Sequence, residues 1–124
     1  MDLDTLRSFC LRLPETSEDF PFDESTLAVR VAGKIFALIA IDASPLRANL
    51  KCDPERAVEL RERYEAVQPG YHMNKTHWNT VTFDGSIPGR EVAAMVEHSW
   101  ECVVAGLKRA DRERLLQQRG DSRK

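Results

Sequence analysis

Apolar and polar positions alternate through the middle of the chain in a way that predicts short β-strands. Residues 27–31 alternate, and the Ala32-Gly33 pair that follows is typical of a tight turn. Residues 34–41 form a nearly continuous apolar run, which is typical of a central strand covered on both faces. Residues 47–52 alternate again, and a fourth strand is predicted at 80–83. The first three strands follow one another along the chain, so we expect an antiparallel meander.

Helical spacing of apolar residues predicts helices on either side of these strands. One is expected over residues 3–13, and a second begins at Asp53-Pro54 and is broken by Pro69-Gly70. The longest is predicted at 88–107, and a last, basic helix at 109–119. Together these elements predict one α+β domain over residues 1–124, with helices packed on an antiparallel sheet of about four or more strands and a frayed tail at about 120–124.

The segment between the first helix and the first strand, residues 15–24, is strongly acidic. Its pattern predicts a loop or a short extended segment, and its two phenylalanines, Phe20 and Phe22, are expected to turn inward. Such a cluster of carboxylates could hold a divalent cation loosely, because hard cations accept several oxygen ligands. Solvated surface acids are the simpler interpretation.

The charges of the chain nearly cancel overall but are unevenly distributed along it. The chain of 124 residues has a net charge of −2 and a pI near 5.9, so no overall basic character indicates nucleic-acid binding. Residues 1–24 carry seven acids and two arginines, a net charge of −5, whereas residues 25–51 have a net charge of +3. A locally basic sheet face could therefore meet phosphates despite the acidic total.

Cysteine usage and hydropathy indicate a cytoplasmic protein. Cys10, Cys52 and Cys102 are far apart and lie beside apolar residues, so we expect them to be structural thiols of a reducing compartment. No apolar run approaches the roughly 20 residues that span a bilayer, and no membrane association is predicted.

The sequence provides little support for catalysis or for a cofactor. His72 and His77 are five residues apart, a spacing that does not place them on one helical face, and no local thiolate or acid completes a metal site. A Cys–His nucleophile would need the fold to bring the two side chains together. No glycine-rich phosphate loop is present. We predict no catalytic residues, no metal and no cofactor.

Two features favour binding. The first is the polar and aromatic segment 71–79, YHMNKTHWN, in which Trp78 should lie on the sheet face opposite to the core residues Val81 and Phe83. The second is the basic strand face of Arg47, Asn49 and Lys51. Each also has a simpler interpretation, namely packing for Trp78 and an ordinary solvated face for the basic strand.

Several segments resemble the MmcQ/YjbR family of small bacterial proteins, and together they cover most of the chain. They are LPETSEDFPF at 13–22, VAGKIFALI at 31–39, LKCDPERAVELRERY at 50–64, PGYHMNKTHWNTV at 69–81, and the helix from Pro88 that carries His98-Ser99-Trp100. Small departures lie at Glu15, where a glycine is common, and near Leu107, where the usual proline is missing. The resemblance implies a CyaY-like fold, also described as double-wing, and a DNA-binding role, a label that is often given to members.

Two functional hypotheses follow. The first is a DNA-binding or regulatory module that uses the basic sheet face and the 72–78 loop. The residues expected at its binding surface are Arg30, Arg47, Lys51, His72, Asn74, Lys75, His77 and Trp78. The second is a protein- or small-ligand-binding module without a nucleic-acid role, which a concave pocket lined by Tyr71, His72, His77 and Trp78 would favour. The oligomeric state is left open, and a monomer fits either hypothesis.

Overall fold

The strands and helices follow the predicted order, with two strands added. The structure is a computed structural model that describes residues 1–122, without the side chain of Ser122. Residues 1–122 contain four helices, α1 (Leu3–Leu11), α2 (Pro54–Arg63), α3 (Gly89–Ala105) and α4 (Arg109–Ser122). The same residues contain six strands, β1 (Thr16–Asp19), β2 (Thr26–Val31), β3 (Lys34–Ala40), β4 (Leu46–Lys51), β5 (Val67–Pro69) and β6 (Trp78–Phe83). The predicted α+β class is confirmed.

All six strands form one antiparallel sheet in the order β1-β2-β3-β4-β6-β5. The predicted meander is its centre, β2-β3-β4. The two strands that the sequence did not predict lie at the edges. β1 consists only of polar residues, and β5 has three residues and ends in Pro69. Neither gives the alternating apolar signal of a strand that is buried on one face.

The helices lie against one face of the sheet and enclose the core there. α3 contacts β2, β3 and β4, and α1 and α4 pack against α3. A β-bulge between β2 and β3 shifts the register after Val29 and places Phe36 and Ala37 together in the core. Trp100 of α3 is fully buried, and its indole N–H donates to the Pro14 carbonyl at 3.1 Å. No helix in residues 1–122 has the length and apolar character needed to cross a membrane.

Two helices end at positions different from those predicted. α2 ends at Arg63 rather than at Pro69-Gly70, because Tyr64 adopts an extended conformation that leads into β5. α4 continues to Ser122, and Arg119 forms an ion pair with Glu101 at 2.9 Å. Residues 120–122 of the predicted frayed tail are therefore helical, and 123–124 lie outside the described residues.

One expectation about the acidic segment is wrong. Part of it forms β1, as the extended alternative predicted, but Phe20 and Phe22 are 50% and 67% exposed instead of turned inward. The core on the helix side is already filled by α1 and α3, and the chain leaves the sheet after Asp19. A turn held by the Asp23 carboxylate, which accepts from the Thr26 backbone N–H at 2.7 Å, then leads into β2.

Candidate ligand-binding groove

The face of the sheet opposite the helices displays alternate residues of β4 and β6. Their cross-strand partners are Arg47 with Thr82, Asn49 with Thr80, and Lys51 with Trp78. Asn79 lies on the covered face and is 2% exposed, whereas its neighbour Trp78 is half-buried on the open face. The predicted orientation of Trp78 is thus confirmed.

A groove of about 480 Å³ lies on this open face. Its floor consists of strand residues, and two loops rise beside it. One loop brings Phe22 and Asp23, and the other brings residues 71–73 together with Trp78. The strand residues that line the groove are Thr26, Ile35, Leu38, Ala40, Arg47, Ala48, Asn49 and Thr80.

Arg47 is the groove's unpaired cation. Its side chain is exposed and forms no ion pair or hydrogen bond with any other of residues 1–122. Asp23 also lines the groove, but its carboxylate accepts from the backbone N–H groups of Ser25 and Thr26 at 2.8 and 2.7 Å. These hydrogen bonds hold the pKa of Asp23 below its ordinary value. The acid is therefore engaged in its own turn, whereas Arg47 is available to a ligand.

The 70–78 loop is fastened to the groove floor through Thr80. The Tyr71 backbone N–H donates to the Thr80 hydroxyl at 2.8 Å, and that hydroxyl donates in turn to the Asn49 side-chain carbonyl. Tyr71 is 65% exposed and its ring lies 4.0 Å from the ring of His72, at an angle of 51°. His72 has a φ of 58°, a left-handed conformation that is uncommon for a residue with a side chain. The loop thus presents two rings beside the groove.

Most other polar groups of the loop are used to build it. The Asn74 carboxamide oxygen accepts from the backbone N–H groups of Thr76 and His77 at 2.8 and 3.2 Å. Lys75 Nζ donates to the Gly70 carbonyl at 3.1 Å. Arg61 of α2 binds the Lys75 carbonyl from the other side. Asn74 and Lys75, which the sequence suggested as ligand-binding residues, therefore hold the loop in shape.

A buried polar network supports the same loop from the covered face. Arg61 Nε donates to Asn79 Oδ1 at 2.7 Å, and Asn79 Nδ2 donates to the Ala57 carbonyl at 3.3 Å. Gly70 packs closely on the first residue of β6, since a Cβ at this position would lie 2.8 Å from Trp78 Cβ. The loop therefore leaves β5 and re-enters the sheet at fixed points.

The eight residues expected at a single binding surface are distributed over four places. Arg47, His72 and Trp78 line the groove. Lys51 and His77 line a different cavity at the far end of β4. Asn74 and Lys75 build the loop, and the half-buried Arg30 forms an ion pair with Asp19 at 2.8 Å. Because opposite charges on adjacent strands pair readily, the β1 strand that sequence patterning missed is the reason that Arg30 is engaged.

The second cavity, of about 710 Å³, lies where β4 meets α2 and α3. It contains a pair that was not predicted from the sequence, His98 and Cys102, whose Nε2 and Sγ atoms are 3.3 Å apart. Their separation of four residues on a predicted helix is a signal that could have found them. Within residues 1–122, no group of three or more His, Cys, Asp or Glu side chains is arranged to hold a metal ion.

Groove residues were also missed. Phe22 was placed in the core, although an aromatic ring within an acidic loop is a signal for an exposed contact surface. Asn49 was expected on the basic strand face, but no role in fastening the loop was predicted for it or for Thr80. Pairing of β4 with β6, which sequence patterning does not give, brings them together.

These features define a small α+β protein with helices on one face of an antiparallel sheet and an open, grooved face on the other. The YjbR family model matches residues 11–102, and the chain belongs to the YjbR family. The family expected from the sequence is thus confirmed.

Two relatives match over nearly their whole length. The uncharacterised protein YbdF of Escherichia coli O157:H7 is 34% identical over 121 residues, covering 90% of this chain and 92% of YbdF. The uncharacterised protein YjbR of Escherichia coli strain K12 is 30% identical over 117 residues, covering 94% and 99% of the two chains.

Solved structures share the fold. The crystal structure of Deinococcus radiodurans protein DR2400 superimposes with a TM-score of 0.86 at 42% identity, covering 92% of this chain and 87% of that one. A crystal structure of a protein from Pseudomonas syringae gives a TM-score of 0.70 at 25% identity, covering 82% and 98%.

Proposed function

We propose that this protein is a binding module whose groove takes a small organic anion with a planar apolar part. The observation that carries the proposal is the exposed, unpaired guanidinium of Arg47 in a groove flanked by the rings of Phe22, Tyr71 and Trp78. A guanidinium presents a rigid fork of donors that matches a carboxylate or a phosphate. The rings provide flat apolar surfaces for the rest of such a ligand.

The size and lining of the groove support this choice. Its 480 Å³ lies within the roughly 300–1,000 Å³ range of small-molecule sites. Leu38 and Ala40 form an apolar floor, and the polar groups of Asn49 and Thr80 are already bonded to each other. Arg47 is therefore the group best placed to select a ligand by charge.

Single-stranded DNA is a second candidate, favoured by one specific observation. Arg47 and Lys51 lie on the same strand, neither forms an ion pair within residues 1–122, and Trp78 is the cross-strand partner of Lys51. Cations beside an aromatic ring suit a single strand, whose bases can stack. Lys75 is hydrogen-bonded to the Gly70 carbonyl and Arg30 is ion-paired with Asp19, which reduces the cationic surface that DNA would need. DNA is therefore less favoured than a small anion.

The test uses saturation-transfer NMR with 2-naphthoate as an anionic probe and 2-naphthamide as its uncharged counterpart. The intact protein is expected to bind 2-naphthoate more tightly, and Arg47→Ala to weaken this binding by about tenfold or more, as for a lost charged hydrogen bond. Arg90→Ala removes an exposed cation from α3 and is the matched control, with unchanged binding. Equal binding of both probes, or no loss in Arg47→Ala, would contradict the proposal.

A second arm tests DNA. Labelled single-stranded and duplex oligonucleotides are titrated by fluorescence anisotropy at two salt concentrations. Salt-sensitive binding of the single strand that falls in both Arg47→Ala and Lys51→Ala would favour the DNA candidate, because phosphate contacts release counterions. Binding of 2-naphthoate without DNA binding would favour the small anion.

A further inference from the structure

The cavity at the far end of β4 contains two of the three thiols and has no part in the proposed groove. We name it the thiol cavity; its lining is Lys51, Cys52, Asp53, Pro54, Arg56, His77, His98, Glu101, Cys102 and Ala105. Cys102 is half-buried and faces it, whereas Cys52 is 4% exposed and Cys10 is fully buried in the main core. Among the three thiols, Cys102 is thus the one with the greatest access to solvent.

A base and a backbone donor meet at the Cys102 sulfur. His98 Nε2 lies 3.3 Å from Cys102 Sγ and accepts a hydrogen bond from the Asp53 backbone N–H at 3.1 Å. An Nε2 that accepts a hydrogen bond carries no proton. Its single lone pair can take the thiol proton when the Asp53 N–H shifts from Nε2 to the Cys102 sulfur, with which it also interacts. The side chain of Ser99 donates to the Lys51 carbonyl at 2.6 Å and fixes α3 against this end of β4. The backbone of residues 51 and 53 therefore fixes the position of the His98–Cys102 pair.

We infer that Cys102 is a thiol-modification site at which His98 acts as general base and the incoming reagent is a small anionic disulfide. His98 Nε2 takes the thiol proton, and the Cys102 sulfur attacks one sulfur of the disulfide. A new S–S bond forms as the old one breaks, the leaving thiolate carries away the electron pair, and the His98 proton passes to it. The products are a mixed disulfide on Cys102 and one free small thiol.

The charges around the cavity select an anion. Lys51 and Arg56 form no ion pair within the part of the chain that the structure describes. The two acids that line the cavity are both engaged, Glu101 with Arg119 at 2.9 Å and Asp53 as the cap of α2. The two remaining cations can pair with the carboxylates of a reagent of peptide size, for which a volume of about 710 Å³ gives room.

Protonation states agree with a neutral pair. Burial, and then the charge of Arg56, lower the pKa of His98, so its imidazole is kept neutral. Burial raises the pKa of Cys102, opposed by the Asp53 N–H. Burial raises the pKa of Cys10 to about 12 and that of Cys52 to about 11, and neither has the histidine contact that Cys102 has. Reaction should therefore depend on His98.

The test incubates the folded, reduced protein with glutathione disulfide and follows modification of each cysteine by peptide mass spectrometry. Cys102 is expected to react at least about tenfold faster than Cys10 or Cys52, which serve as internal controls. His98→Gln should slow Cys102 by about tenfold or more, as loss of a general base does. The difference in the Cys102 rate between the original protein and His98→Gln should become smaller at alkaline pH, where hydroxide ionises the thiol. The same difference at every pH would show that His98 has a purely structural effect and would contradict the inference.

The preference for an anionic reagent is tested by comparing two disulfides of opposite charge. Each rate with Cys102 of the folded protein is divided by the rate with the unfolded chain. On this scale cystamine, a cationic disulfide, should react more slowly than glutathione disulfide. Lys51→Ala combined with Arg56→Ala should reduce this preference. Modification of Cys52 or Cys10 at a rate similar to Cys102, or an unchanged rate in a His98→Gln variant whose circular dichroism shows it to be folded, would overturn the inference.

Discussion

Asn79 and Arg47 lie on paired strands but on opposite faces of the sheet, and their side chains differ in whether the rest of the protein hydrogen-bonds to them. Asn79 is 2% exposed and bonds both to Arg61 at 2.7 Å and to the Ala57 carbonyl at 3.3 Å. Arg47 is exposed and has no such partner within residues 1–122. A buried polar group without a partner is costly, whereas an exposed cation keeps its water. Asn79 therefore contributes to stability, whereas Arg47 remains available for binding.

Several polar groups of the 70–78 loop resemble Asn79 rather than Arg47, because they are hydrogen-bonded within the protein. Lys75 and Asn74 bond within the loop, and Arg61 of α2 binds the Lys75 carbonyl. The richness of this loop in polar side chains thus reflects how it is built. Its rings, at Tyr71, His72 and Trp78, line the groove together with Met73.

The largest expected effect is on the covered face. Asn79→Ala removes the hydrogen bond that Arg61 Nε donates and the one that the Ala57 carbonyl accepts, both at a buried position, so we expect the free energy of unfolding to fall by about 2–3 kcal/mol. Urea denaturation measures the change. Asn74→Ala, which removes two exposed hydrogen bonds within the loop, is the matched control and should cost less, about 1 kcal/mol, because water can replace the lost acceptor. A loss for Asn79→Ala no greater than that of the control would contradict the distinction between the two faces.

A somewhat smaller effect is expected where the loop leaves β5. The Cβ of Gly70→Ala would lie 2.8 Å from Trp78 Cβ and 2.9 Å from the Trp78 carbonyl oxygen, so the strand ends must move apart. We expect a loss of about 1–3 kcal/mol in the free energy of unfolding, as for overpacking. Gly89→Ala meets nothing within 4 Å at the start of α3 and should be neutral or slightly stabilising. Equal effects of the two changes would show that the loop is not tightly fixed.

The smallest effect concerns pH. Because the pKa of His98 is lowered in the folded protein, the unfolded chain binds more protons once the pH falls below the ordinary histidine pKa of about 6.5. The stability that neutral His98 contributes is fully present above that pH and declines as the pH falls. Urea midpoints measured from pH 7.5 to 5.5 should therefore fall, and fall less in His98→Gln. The same slope in both proteins would contradict this assignment.

Periodicity was sufficient for the fold class and for the faces of the central strands. The alternation of residues 47–52 and 78–83 correctly placed Arg47 and Trp78 on the face opposite the core. It could not reveal the pairing of β4 with β6 or the edge strands β1 and β5, since these depend on contacts between distant segments. For the same reason the groove could not be predicted, because Phe22 and Tyr71 meet it only after the sheet has formed.

A ¹⁵N–¹H correlation NMR titration of the protein with 2-naphthoate tests most directly whether the groove is the binding surface. Shifts are predicted to concentrate in β4, β6, residues 71–73 and the turn around Phe22. They should be lost in Arg47→Ala, whose free energy of unfolding should stay within about 0.5 kcal/mol of the original protein, and kept in Lys75→Ala. Shifts centred on residues 74–77, or an unchanged response in Arg47→Ala, would contradict the claim that the binding surface is the groove and not the 74–77 part of the loop.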